Sequence, residues 1–332
     1  MHPHPRRRSL LTGLAALPWA AAATVPALSH AQTATAWPTR PVTIVVPSAA
    51  GGAADFIGRA FGNFLTASLP GSSVVVDDRP GAGGILGTQF VKAAPADGYT
   101  FLISTNSTHA ANVSLYRTLR YDPLKDFVQV GMFGTFASVL VARRDAPYKS
   151  AQELIDYARA HPGKLNYGYY SSSSQVPAEL LRTKAGLAFT GISYKAITQL
   201  LTDLIGGQLD FVFVDTLSAA PALHNDRLRP LAVSAPRSLG NLPEVPPLAA
   251  TLPGYEVLGW LGLSAPAGTP KAVVEQVGSL VARATADAAF RRSAEERGLS
   301  PRTLVGADFE RFVREDIGRW AEWIKLAGIE AQ

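Results

Sequence analysis

Short runs of apolar, often β-branched residues alternate along this chain with small or polar loops and with stretches of helical spacing. Pro41 to Val46 (PVTIVV) is β-branched and apolar apart from Thr43, as expected for a strand buried on both faces of a parallel sheet. It runs into PSAAGGAAD, after which Ile57, Ala60, Phe61 and Leu65 recur at the period of a helix over Phe56 to Leu69. Val74 to Val76 predicts a second strand, Gly84 to Ala94 a second helix, and Tyr99 to Ser104 (YTFLIS) a third strand. Strand, loop and helix repeated in this order predict an α/β fold with doubly wound, mainly parallel sheets. In such folds ligands sit outside the carboxyl ends of the strands.

The middle of the chain has its own α/β rhythm. A strand over Phe136 to Arg143 precedes a helix whose start, Ser150 with Glu153 three residues on, fits a capping box and whose end is His161-Pro162-Gly163. Leu165 to Tyr170 reads as a strand, Ser171 to Ser174 as a polar loop, and Pro177 to Ala185 as a helix. A short helix over Leu200 to Gly206 follows, then strands over Leu209 to Val214 and Leu228 to Ser234. Trp260 to Ala265 is a further strand. Thr269-Pro270 has the chemistry of a helix start, and the last helix, Ala307 to Leu326, gathers Phe309, Phe312, Val313, Trp320, Trp323 and Ile324 near one face. The pattern predicts two lobes, 32–141 with 259–332 and 142–258, joined by two crossings near Val141 and Leu258. Two crossings make a hinge and a cleft.

The first residues stand apart from this rhythm. Arg6, Arg7 and Arg8 precede an apolar run, Leu10 to Ala23, and the small-residue site Ser29-His30-Ala31, which together predict an export signal over 1–31 cleaved near Ala31. Arg7-Arg8-Ser9-Leu10-Leu11 fits a twin-arginine signal and an ordinary secretory one alike. The run is shorter than the roughly 20 residues of a membrane span. Removing three arginines and no acid changes the net charge from +5 to 5 − 3 = +2, so the basic balance gives no reason to expect a nucleic acid partner. The chain has no cysteine, which excludes disulfides and thiolate metal sites and leaves stability to packing.

The segments WPTRPVTIVVPSAAGGAAD, DDRPGAGGILGTQFVKAAPADGYT, STNSTHAANVSLY, YDPLKDF, YKAITQLLTDLIGGQLDFVFVD, LRPLAVSA and LSAPAGTPKAVVEQV follow one another through the whole mature chain. In order and content they resemble the periplasmic receptors of tripartite tricarboxylate transporters, the Bug or TctC type. The resemblance implies a two-lobed periplasmic binding protein of the type II, Venus flytrap kind. Such a receptor is a monomer that captures a small carboxylate between its lobes and hands it to membrane permease subunits, without a cofactor. It implies first-lobe ligand contacts from Ser48, Ala49, Ala50, Gly51, Gly52 and Asp55, and from Thr105, Asn106, Ser107 and Thr108. In the second lobe it implies Tyr169, Tyr170, Ser171, Ser172, Ser173, Ser174 and Gln175, then Tyr194 and Thr198, and Asp215. The chain departs from the family pattern where Ser48, Ala49 and Ala50 replace an aromatic residue and prolines, where Gln175 replaces a histidine, and at Ala196-Ile197.

These residues suit an anion on their own chemistry. PSAAGGAAD joins a buried strand to a helix, whose unpaired N–H groups and dipole favour negative charge by about 0.3–1 kcal/mol. Ser104 to His109 offers hydroxyls, an amide and an imidazole at a strand end. Tyr169 and Tyr170 beside the serine run could wall off a ring, which leaves aliphatic and aromatic acids, mono- or dicarboxylate, all open. Asp215 ends an apolar strand, where it could accept from a ligand amine, orient water or cap a turn. Lys195 is the one basic residue nearby; it could pair with the acid, but such a lysine is more often a solvated side chain.

Two other readings follow from the same chain. A secreted serine hydrolase would use Ser107 or a serine of the 171–174 run, although no Gly-x-Ser-x-Gly elbow or Ser-x-x-Lys pair is present. The glycines of DDRPGAGGILGTQF approach dinucleotide-binding spacing. There, however, Asp77 and Asp78 would repel a pyrophosphate and Pro80 removes a donor, so the loop is expected to be a structural connection. His109, His161 and His224 lack metal-ligand spacing.

Overall fold

The computed structural model describes Trp37 to Gln332, and the export signal expected over 1–31 lies outside the described residues. The first stretch runs β1 (Val42–Val46), α1 (Ala53–Ser68), β2 (Val74–Asp78), α2 (Ile85–Lys92), β3 (Thr100–Thr105) and the short α3 (Asn112–Leu115). β1 pairs in parallel with β2 on one side and β3 on the other. Ile44, Val45 and Val46 are wholly buried because both faces of the strand are covered, which is why it carries no alternation. α1 buries Ile57, Phe61 and Leu65 as the spacing predicts. It starts at Ala53 rather than Phe56, and Asp55 in its first turn accepts the Gly51 N–H at 2.8 Å, holding the loop onto the helix start.

Next come β4 (Phe127–Arg143), α4 (Ala151–Ala160), β5 (Leu165–Tyr169), α5 (Ser172–Ala185), β6 (Phe189–Ser193), α6 (Ile197–Gly206), β7 (Phe211–Asp215), α7 (Ala220–Leu223) and β8 (Leu228–Val233). The last stretch is β9 (Leu258–Pro266), α8 (Lys271–Ala286), α9 (Ala288–Glu296), β10 (Leu299–Val305) and α10 (Ala307–Leu326). β5 lies in parallel between β6 and β7, repeating the β2-β1-β3 arrangement. The hydrophobic pattern does not show the four-residue helices α3 and α7, nor three longer elements. β6 is an edge strand with four of its five residues exposed, β10 is largely exposed, and α9 buries only Phe290 and Ala294.

β4 is the element that joins the two arrangements. It has 17 residues, about 55 Å at strand rise, where the sequence predicts only its final part. Its residues up to Ala137 pair antiparallel with β9 and β10, and from Ser138 onward its partners are β7 and β8. The change of partners thus falls at Ala137-Ser138, and β9 reaches the same level at Leu258. α10 also passes from one apolar cluster to another. Phe309, Phe312 and Val313 pack with Trp260 and Met132, while Trp320, Ile324 and Ala327 sit among residues such as Leu154, Leu181 and Tyr255. Between them Asp316, buried, accepts from the Trp260 indole N–H at 2.7 Å and from Arg319 at 2.6 Å.

Candidate functional site

The segment after β3 and the start of α5, more than sixty residues apart in sequence, meet in space. Asn106 Nδ2 donates to Ser172 Oγ at 3.1 Å and Ser173 Oγ at 3.0 Å, and the Ser107 and Ser172 hydroxyls lie 2.7 Å apart. All four side chains are buried. Ser138, at the point where β4 changes partners, donates to the Ser173 carbonyl at 2.7 Å and so anchors the same cluster to the strand. Thr105 and Thr108 close a turn on each other, with the Thr105 N–H donating to Thr108 Oγ1 at 3.1 Å.

The serine run is the first turn of α5, not a loop ahead of it. Ser171 is the N-cap, and it and Ser174 form a reciprocal capping box with Tyr170 and Ser171 N–H groups both donating to Ser174 Oγ at 2.9 and 3.0 Å. Ser174 and Ser171 are therefore occupied by the helix itself. Ser172 and Ser173 project their hydroxyls toward Asn106 and Ser107. Serine has a weak helix preference, which is why the run reads as a loop; the cap reverses that preference at a helix start.

Asp215, at the end of β7, is buried, and both of its oxygens are engaged. Oδ1 accepts the Ser218 N–H at 2.8 Å, capping a turn, and Oδ2 accepts the Tyr170 hydroxyl. Burial raises its pKa, a rise opposed by those two hydrogen bonds, and burial beside the carboxylate pushes the Tyr170 hydroxyl well up as well. Tyr170 is thus the donor. In register Asp215 is paired with Ser138, which places it beside the start of α5.

The remaining residues named from the sequence divide into two groups. In the loop after β1, Ala50 and Gly51 are exposed, Gly52 donates to the Ala49 carbonyl at 3.4 Å, and the buried Ser48 hydroxyl has no partner among the described residues. Asp55 faces inward to Gly51 and is paired with Arg59 at 2.5 Å, which also reaches Asp78. Tyr194 donates to Asp203 at 2.8 Å, Thr198 is exposed on α6, and Tyr169 lies beside Tyr167; Gln175 is half-buried in α5. Ligation by Asp55 or Tyr194 would require breaking these contacts.

The glycine loop after β2 packs under this region. Gly84 has a positive φ of 88°, and a Cβ there would lie 2.7 Å from the Thr108 methyl and 3.2 Å from the Pro47 carbonyl. At Gly87 it would lie 2.9 Å from the Arg79 carbonyl and 3.0 Å from Pro47 Cα. The absent side chains let the loop pack against the segments after β1 and β3 at once. Asp77 and Asp78 pair with Arg79 and Arg59, consistent with a structural connection.

His109 is wholly buried against Phe127 and Trp260, with Nδ1 3.0 Å from Thr108 Oγ1 and Nε2 without a partner among the described residues. Burial pushes its pKa from 6.5 down to about 3, so the ring is neutral. A cavity of about 360 Å³ lies elsewhere, between the middle of β4 and the loop after β8, lined by Thr135, Ala137, Arg237, Ser238, Leu258 and Ser300 among others. None of the residues named from the sequence lines it.

Comparison with known proteins decides what this arrangement belongs to. The profile of the tripartite tricarboxylate transporter family receptor matches residues 60–329. The chain belongs to this family. A relative from Pseudomonas sp. strain P51, a UPF0065 protein of the tcbD-tcbE intergenic region, is 35% identical over 284 residues, covering 84% of this chain and 82% of its own. The solved R. palustris protein Rpa4515 with adipate is 34% identical with a TM-score of 0.86, covering 89% of this chain and 100% of that one. MatC from Rhodopseudomonas palustris with bound malate is 30% identical with a TM-score of 0.78, covering 86% and 99%. Receptors of this family are periplasmic solute-binding proteins of α/β fold and not enzymes, which sets the serine hydrolase alternative aside. Among the described residues of this receptor no helix is long and apolar enough to cross a membrane.

Proposed function

We propose that this receptor captures a small organic acid between two lobes, 32–141 with 259–332 and 142–258, and presents the closed form to membrane permease subunits or to a sensing partner. The observation that carries the reading is the junction of Asn106 and Ser107 with Ser172 and Ser173, neutral donors gathered at the start of α5. Opening the lobes separates these groups. A carboxylate entering between them accepts from the same amide and hydroxyls and from the first N–H groups of α5, while the loop Ser48 to Gly52 receives it from the other lobe. The similarity to receptors solved with adipate and malate supports an acid as the ligand.

The energetics favour closure on the ligand. Each neutral hydrogen bond of the junction contributes about 0.5–1.5 kcal/mol, whereas one to a charged group contributes about 1.5–3. The three exchanged bonds therefore gain a few kcal/mol that only the closed form collects, which is the differential contact a ligand needs to shift the equilibrium. The protein acts as a monomer in the periplasm after cleavage near Ala31.

Calorimetry and thermal unfolding with mono-, di- and aromatic carboxylates test this. A micromolar ligand at a thousandfold excess over its Kd stabilises by about 4 kcal/mol, and at least one acid is expected to raise the melting temperature by roughly 6 °C. A broad acid panel without a shift would overturn the reading.

A further inference from the structure

Asp215 is a carboxylate without a basic partner at the edge of the junction. Its two oxygens are taken by the Ser218 N–H and the Tyr170 hydroxyl, and among the described residues no lysine, arginine or histidine pairs with it. It is held beside the start of α5 by its pairing with Ser138, whose hydroxyl donates to Ser173. A buried carboxylate in such a place is the natural acceptor for a ligand ammonium group, because the pair would neutralise two charges in a poorly solvated setting. Tyr170 prevents it. The ring comes from the end of β5, packs against the apolar cluster under α6, and delivers its hydroxyl to the oxygen that faces away from Ser218.

We propose that Tyr170 sets the class of acid this receptor takes: by occupying Asp215 it closes the ammonium acceptor, so the receptor binds carboxylates that lack a 2-amino group and rejects amino acids of the same skeleton. The inference rests on the carboxylate-receptor reading above. Each carboxylate oxygen keeps a second lone pair, but Asp215 is buried with the phenol laid on Oδ2, so an ammonium group reaching it must move the phenol, and a 2-amino acid that leaves the phenol in place buries its ammonium unpaired. Either route costs the difference between a made and an unmade hydrogen bond to a charged group, roughly 10- to 100-fold in affinity.

The test compares succinate with aspartate and adipate with 2-aminoadipate by calorimetry on the full mature chain, in wild type, Tyr170→Phe, Asp215→Asn and the double variant. Wild type is expected to bind at least one plain acid more tightly than its 2-amino counterpart by about tenfold or more. Tyr170→Phe narrows that ratio about tenfold by strengthening the amino acid, and adding Asp215→Asn removes the gain. Unchanged ratios in a Tyr170→Phe protein that still melts cooperatively and still binds the plain acid would overturn the inference while leaving the receptor reading intact. Equal binding of acid and amino acid by wild type would do the same. No binding of any acid by wild type fails the receptor reading itself.

Discussion

Acidification should reveal the cost of burying His109. Its ring is neutral in the fold, with a pKa near 3 against 6.5 when solvated, because burial against Phe127, Trp260 and a threonine hydroxyl strips it of water. Between these two values the unfolded chain binds a proton at this residue and the folded chain does not. Stability from this group is therefore complete above about pH 6.5 and falls as the pH drops, by about 1.4 kcal/mol per unit, levelling off near the folded pKa. From pH 6.5 to 4.5 the loss amounts to roughly 2–3 kcal/mol. Urea unfolding at half-unit steps across this range, for wild type and His109→Phe, isolates the contribution, since carboxylates titrate alike in both. The variant is expected to lose one proton-equivalent of slope. Parallel stability curves for the two proteins would refute the reasoning, as would a nuclear magnetic resonance titration placing His109 near 6.5 in the folded state.

Two further substitutions probe the scaffold of the site. Gly84→Ala forces a Cβ against Thr108 and Pro47 at a left-handed φ, and is expected to cost about 3 kcal/mol in unfolding free energy, from ~1–2 for the dihedral and ~1–3 for overpacking; stability within 0.5 kcal/mol of wild type would contradict the packing described. Asn106→Ala removes donors to Ser172 and Ser173 and is expected to lower stability by about 2–3 kcal/mol and to weaken acid binding, whereas Ser107→Ala, which loses one neutral contact, costs about 1; equal effects of the two would show that Asn106 does not organise the junction.

Much of the fold is local in origin and was legible. The buried strand β1, the helix faces of α1 and α10, and the Ser150 cap, which accepts the Glu153 N–H at 3.2 Å, follow from patterns a few residues wide. Even there, Glu153 reaches the Lys149 N–H rather than that of Ser150, and Thr269 donates to the Pro266 carbonyl while α8 starts at Lys271. β6, β10 and α9 escaped because exposed edge strands and polar helices carry little hydrophobic signal.

The site divides along the same line. Residue type and order alone determined that hydroxyls, amides and glycines stand at the ends of β1, β3 and β5, since a strand end followed by a capped helix start is written in adjacent residues. Which of them face one another was decided by contacts across more than sixty residues, with β4 changing partners at Ser138 to bring Asn106 and Ser107 onto Ser172 and Ser173. The fate of Asp215 was likewise tertiary. A carboxylate at a strand end leaves a ligand amine, a water and a turn cap all open; the cap onto Ser218 is local, but the hydrogen bond from Tyr170 joins two strand ends and leaves no periodicity in the chain.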